Sequence, residues 1–162
     1  MNLNRAEARA DSLIKELLPF CERIEKVGKI RRRKPSIDKV EVLLAPKGAS
    51  LFGLMTKLTE MGSEGGFKVK EKRILLLKDE FGSIPADLYF TSLDKWPVVL
   101  LLKTGGAKSN KKIEQLCWQK KWHLSAEKGA IFNEKWERLP IETEEDIFKL
   151  LEIKFTEPNW RE

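Results

Sequence analysis

The stretch Val27–Leu44, "VGKIRRRKPSIDKVEVLL", joins a glycine, the basic run Lys29–Lys34, a proline and an alternating segment that carries two acids. Successive side chains of a strand point to opposite faces, so Lys39, Glu41 and Leu43 share one face while Val40, Val42 and Leu44 share the other. Asp38 and Glu41 are three residues apart and fall on opposite sides. A glycine turn flanked by cations, followed by a strand acid, suits a polyphosphate held beside a carboxylate. It leaves open whether Glu41 has a second acid to work with.

The second acid comes later in the chain. "IPADLYFT" (Ile84–Thr91) alternates again and puts Asp87 and Tyr89 on one face. If the two segments are neighbouring strands, Glu41 and Asp87 can hold a divalent cation near the phosphates of a nucleotide lodged at the Gly28 turn. Two-metal phosphoryl transfer uses about three carboxylates, because four positive charges are shared between protein and phosphate.

Around these motifs the chain reads as α+β. Ala8, Leu13, Ile14, Leu17 and Leu18 recur at helical spacing over Arg5–Leu18, and Pro19 ends or kinks that helix. A short strand is predicted over Arg23–Val27, before Gly28 turns the chain. "ASLFGLMTKLTEMG" repeats Leu51, Leu54, Met55, Leu58 and Met61 as a helix that the Gly-rich "GSEGG" terminates. "FKVKEKRILLLKD" is predicted as one further strand. The order describes a mixed or antiparallel sheet backed by helices. A domain boundary is placed near the apolar "VVLLLKTGG", giving domains 1–100 and 101–162, the second small and α/β. It holds a helix over Lys108–Lys121, a hairpin between "HLSAEKGAIFN" and "WERLPIE", and a helix opening at Thr143. Thr143 and Asp146 form a capping-box pattern, which gives the acidic "ETEED" a structural role at the positive end of that helix.

Composition narrows the function classes. The 162 residues are 41% hydrophobic, enough for one core or two small lobes, with no apolar run near the roughly 20 residues that cross a bilayer. The start lacks a secretory pattern, so a soluble intracellular protein is expected, with no membrane partner. Cys21, Cys117 and a single His123 are too few and too scattered for a zinc site, a disulfide framework or a Cys/His nucleophile. The net charge of +6 is concentrated at Lys29–Lys34 and over Lys103, Lys108, Lys111, Lys112, Lys120 and Lys121. Such clusters suit a phosphate backbone.

The string Val27–Leu44 resembles the nucleotidyltransferase motif of DNA polymerase family X, the polymerase β-like enzymes. That motif runs Gly-Ser-x-Arg-Arg, a spacer, then Gly-Asp-x-Asp-hydrophobic. "ADLYFT" is similar to the strand bearing the third acid, "LLLKTGGAKSN" to the segment that receives the incoming nucleotide, and "IETEEDIFKLLEIKFTEPNWRE" to the family ending. The match covers nearly the whole chain, without the amino-terminal lyase and helix-hairpin-helix regions of larger members. It resembles the reduced palm-plus-thumb form of viral and phage-type relatives.

The resemblance implies a palm followed by a thumb, a DNA primer/template or gapped partner, a dNTP substrate, Mg²⁺ or Mn²⁺, and action as a monomer in repair or gap filling. It assigns nucleotide binding to Gly28, Lys29, Arg32, Lys39, Thr104, Gly105 and Asn110, and DNA binding to Arg31, Arg33, Lys108, Lys111 and Lys112. Glu41 and Asp87 become metal ligands, with Asp87 the base for the primer hydroxyl. Four departures stand out. Lys29 replaces the triphosphate-binding Ser, Leu102 and Lys103 replace an aromatic pair, Glu114 stands where an Arg tracks the template, and Lys39 replaces the first metal acid.

Asp38 sits at the position of the Gly before the acid pair. A one-residue shift reverses a side chain's face, so Asp38 serves as a metal ligand or catalytic acid only if a bulge or a later strand start turns it inward. Exchanging a carboxylate for an ammonium changes the local charge by two units, and one charge pair at about 4 Å is worth roughly 4 kcal/mol at an effective dielectric of about 20. Three readings follow. The first is a minimal DNA polymerase with an altered metal site. The second is a catalytically degenerate nucleic-acid or nucleotide-binding module on the same scaffold. A small-substrate nucleotidyltransferase ranks third, since it shares the acid motif but not the "KTGGAKSN" and "EPNWRE" segments.

Overall fold

A computed structural model describes residues 1–62, 67–70, 73–76 and 85–162, with backbone only over 67–76. The chain forms two compact units, Met1–Leu93 and Asp94–Glu162. The boundary lies a few residues before the position expected from sequence. The apolar stretch after it belongs wholly to the second unit, as helix α4 (Trp96–Thr104), whose Val98 and Leu101 enter that unit's core.

The first unit opens with α1 (Leu3–Leu17), capped by the Asn2 side chain, which accepts from Arg5 N–H at 3.0 Å. It then forms β1 (Cys21–Lys26), a four-residue helix α2 (Gly28–Arg31), β2 (Val40–Pro46) and α3 (Leu51–Gly62). Three more strands follow, β3 (Phe67–Lys70), β4 (Arg73–Leu76) and β5 (Ala86–Phe90). They make one five-stranded mixed sheet in the order β1-β2-β5-β4-β3, antiparallel except where β2 runs parallel to β5.

The single strand expected over "FKVKEKRILLLKD" is instead two antiparallel strands, with Phe67 opposite Leu76. Thirteen residues exceed a common strand length of about 5–6, and pairing two short segments satisfies both sets of backbone groups. The Gly-rich segment expected to stop α3 lies mostly outside the described residues, as does the start of "IPADLYFT".

The expected alternation on β2 positions the site. Val40, Val42 and Leu44 join Ala86 and Leu88 of β5 against Ala6, Ala10, Leu13 and Leu17 of α1 and Leu54 and Leu58 of α3, in one buried cluster. Glu41 and Asp87, one residue out of phase, go to the opposite face.

The second unit adds α5 (Ala107–Gln119), β6 (His123–Ser125), β7 (Ala130–Phe132) and α6 (Glu144–Leu150) after α4. The hairpin lies within "HLSAEKGAIFN", pairing His123 with Phe132. "WERLPIE" adds only an isolated bridge, Arg138 to Phe132, rather than the second arm expected. Gly129, with φ +55°, lies in the turn between these short strands and supplies the left-handed conformation that glycine adopts readily. The Thr143–Asp146 capping box is present: the Thr143 hydroxyl accepts from Asp146 N–H, and the Asp146 carboxylate accepts from Thr143 N–H.

The unit is fastened by Arg161. Its buried guanidinium donates to Glu144 at 2.7 Å and to the Thr156 carbonyl at 2.9 Å, and it lies 5.4 Å from the ring centres of both Phe148 and Phe155. A charge this deep is tolerated because it is paired and hydrogen-bonded.

Candidate functional site

Parallel pairing of β2 with β5 sets Glu41 directly beside Asp87, and Leu43 beside Tyr89. Both strands are interior to the sheet. Asp87 is fully buried, and Glu41 is partly buried with its side chain 15% exposed. Two carboxylates side by side in a low-dielectric setting repel unless a cation lies between them.

Here that cation is Lys39. Its Nζ donates to Asp87 Oδ2 at 2.7 Å and lies 3.4 Å from Glu41 Oε1. Tyr89 closes the group, its hydroxyl lying 3.2 Å from Glu41 Oε1 and 3.3 Å from Asp87 Oδ2. Burial works against the Lys39 charge, but the hydrogen bond to Asp87 and the fields of Glu41, Tyr89 and Asp87 outweigh it, so its pKa is raised and the ammonium persists.

Gly28 closes the arrangement from the other side. A Cβ built at Gly28 would fall 1.9 Å from Glu41 Oε2, and the residue's φ is +62°. Both the space and the dihedral require glycine. The Val27 N–H donates to the Glu41 carbonyl at 2.9 Å, fixing the turn to the strand. Arg32 follows one helical turn later. Burial lowers its pKa and the Glu41 charge opposes that shift.

Asp38 is not brought to this group. It lies in the bend before β2, two-thirds exposed, where Lys29 holds it in an ion pair of 2.9 Å. The Lys29 hydrogen bond lowers its pKa. β2 begins only at Val40, so Asp38 lies outside the strand: continued alternation would set it on the core face with Val40 and Val42, and the bend turns it to solvent instead. Lys29 is thereby engaged with a carboxylate, while Arg31 and Arg33 continue the basic turn.

In the second unit Thr104 ends α4 and is fully buried. Gly105 takes φ +69° and Gly106 opens α5. The Asn110 side chain donates to the Leu102 carbonyl at 2.8 Å, tying α5 to the end of α4. Lys108, Lys111 and Lys112 are exposed on α5.

Sequence reasoning placed Lys39 and Glu41 on one face and Asp87 with Tyr89. It missed the tyrosine's link to both carboxylates and the contact of Gly28 with Glu41. The phase of the two strands carried the first of these, since four polar side chains at matched positions on one sheet face must meet. The second has no signal in the sequence.

The donor set tests the metal that a polymerase-type site implies. Mg²⁺ binds oxygen at about 2.0–2.1 Å and demands near-octahedral geometry. The space between Glu41 and Asp87 is taken by an ammonium that offers no lone pair. Among the described residues no three carboxylate, imidazole or thiol groups gather as a metal-binding set. These residues do not fit a two-metal centre.

Among the described residues, no helix is long and apolar enough to cross a membrane. Residues 99–162 match the family described as DNA polymerase beta thumb. The whole chain superposes on the solved structure of Leishmania infantum polymerase beta in a ternary P/T complex, with a TM-score of 0.82 and 15% identity over 100% of this chain and 76% of that one. No curated protein sequence matches it. The second unit thus carries the match to the polymerase beta thumb, and the chain along its whole length has the fold of a polymerase beta.

Proposed function

We propose that the chain binds primer/template DNA as a monomer, its first unit serving as palm and its second as thumb, and that its acid face, closed by Lys39, supports metal-dependent nucleotidyl transfer slowly or not at all. The observation that carries this reading is the 2.7 Å bond from Lys39 Nζ to the buried Asp87 carboxylate, with Glu41 at 3.4 Å. The family as a whole implies a divalent metal, and here a tethered cation stands where that ion would be held. Support for DNA comes from the net charge of +6, the thumb match, and the solved relative's capture in a P/T complex. Arg31 and Arg33 on the basic turn and Lys108, Lys111 and Lys112 on α5 would grip phosphates.

One observation favours a second reading, a minimal polymerase of the gap-filling type. Glu41 and Asp87 keep side-by-side register on parallel strands, as a working acid pair requires. In that reading Asp87 takes the primer hydroxyl's proton. Lys39, once released, meets triphosphate oxygens beside Gly28 and Arg32.

The two readings separate in one assay on the full chain. Primed DNA is bound with EDTA and with Mg²⁺, and extension by a single dNTP is followed with Mg²⁺ or Mn²⁺. The first reading expects equal binding with and without metal and incorporation near background. Metal-dependent extension abolished by Asp87→Asn would establish the second.

A further inference from the structure

Trp118 is 80% exposed near the carboxyl end of α5. A single exposed aromatic is ordinary on a protein surface. Its companions on the helix are not. With 3.6 residues per turn, Lys111 falls about 20° from Trp118 around the helix, with Gln115 and Lys108 about 60° and 80° round on one side, while Lys112 lies about 120° round. The opposite side, with Ile113 and Cys117, is buried in the second unit's core. Among the described residues Lys111 and Lys112 form no ion pair, and Lys108 has only a loose 3.7 Å contact with Glu162. Glu114 is the one acid on this face. Lys121, also exposed, follows the end of the helix.

Lysines on the turns before an open indole make the pairing that single-stranded nucleic acid uses: phosphates on lysines and a base on an aromatic face. A duplex presents phosphates but keeps its bases stacked inside. We propose that this face of α5 binds single-stranded DNA, with one unpaired base stacked on Trp118 and the adjoining phosphates held by Lys111 and Lys108. The inference rests on the DNA-binding reading above and specifies its partner as an unpaired strand. Lys111 lies about 10 Å along the helix axis from Trp118, a span that a few nucleotides of unstacked strand cover. A base of any identity can stack, so the site discriminates strandedness rather than sequence.

The test uses the full chain, its Trp118→Ala and Trp118→Phe variants, and three fluorescent probes of equal length: an oligothymidylate, an abasic strand with the same phosphates, and a blunt duplex. Trp118→Ala is expected to weaken oligothymidylate binding about tenfold, with Trp118→Phe keeping most of the affinity. Abasic-strand and duplex affinities should be unchanged. The inference is overturned if Trp118→Ala leaves oligothymidylate binding intact, or weakens the abasic strand equally. It is overturned too if sedimentation shows that wild type is a dimer which the variant dissociates, since Trp118 is then covered by a second copy. If wild type binds none of the three probes, the DNA-binding reading itself has failed.

Discussion

Lys39 Nζ lies 2.7 Å from Asp87 Oδ2, so the buried acid of β5 is neutralised by a side chain from the start of β2. The consequence for pH follows from the direction of the Lys39 shift. A lysine whose folded pKa is raised contributes stability that is fully present below its unfolded value of about 10.4, and is lost only as pH rises through the higher folded value. The difference in unfolding free energy between wild type and Lys39→Met should therefore stay constant from about pH 6 to about pH 9. Chemical denaturation across that range checks it. A difference that shrinks toward pH 9 would mean that the ammonium is not held as described.

Gly28 and Glu41 make a second dependence. A Cβ at Gly28 would overlap the Glu41 carboxylate, and φ +62° disfavours any L side chain. Gly28→Ala should destabilise the first unit by about 1–3 kcal/mol, combining the left-handed penalty with overpacking. Urea unfolding measures this, and a neutral outcome would show that Glu41 can move aside freely.

In the second unit, Arg161→Ala strands a buried Glu144 carboxylate. Loss of one partner of a buried pair costs about 3–5 kcal/mol. A cycle with Glu144→Gln should recover part of that loss, because the unpaired charge is then gone. If the two variants add independently, the ion pair does not fasten the unit.

The architecture was largely legible where periodicity and side-chain chemistry agreed. The phase of "KVEVLL" and "ADLYF" placed Glu41 and Asp87 on one face, and the Thr143 capping box was readable from spacing alone. Periodicity failed where it had no contrast. "VVLLLKT" is apolar all round and gave no period, yet it forms α4. "FKVKEKRILLLKD" alternates through a change of direction, so one strand was expected where two exist. Arg161 and Glu144 are seventeen residues apart, and nothing local marks them as a pair.

Binding to DNA should be carried by phosphates. An Arg31→Ala, Arg33→Ala double variant is expected to lose affinity on every sequence alike and to flatten the salt dependence by roughly two phosphate contacts, a slope change near 1.8 in log K against log salt. Fluorescence anisotropy over a salt series reports both. Unchanged slope and affinity would remove the basic turn from the DNA-binding surface.

The most direct measurement is a calorimetric titration of Mn²⁺ into wild type and Lys39→Asp at neutral pH. Lys39→Asp replaces the ammonium with a carboxylate two residues from Glu41 on the same face, beside Asp87. It should turn a weak or undetectable response into saturable binding, with affinity raised tenfold or more, each factor of ten being about 1.4 kcal/mol. Wild type binding Mn²⁺ as tightly as Lys39→Asp would contradict the conclusion that Lys39 occupies the cation position.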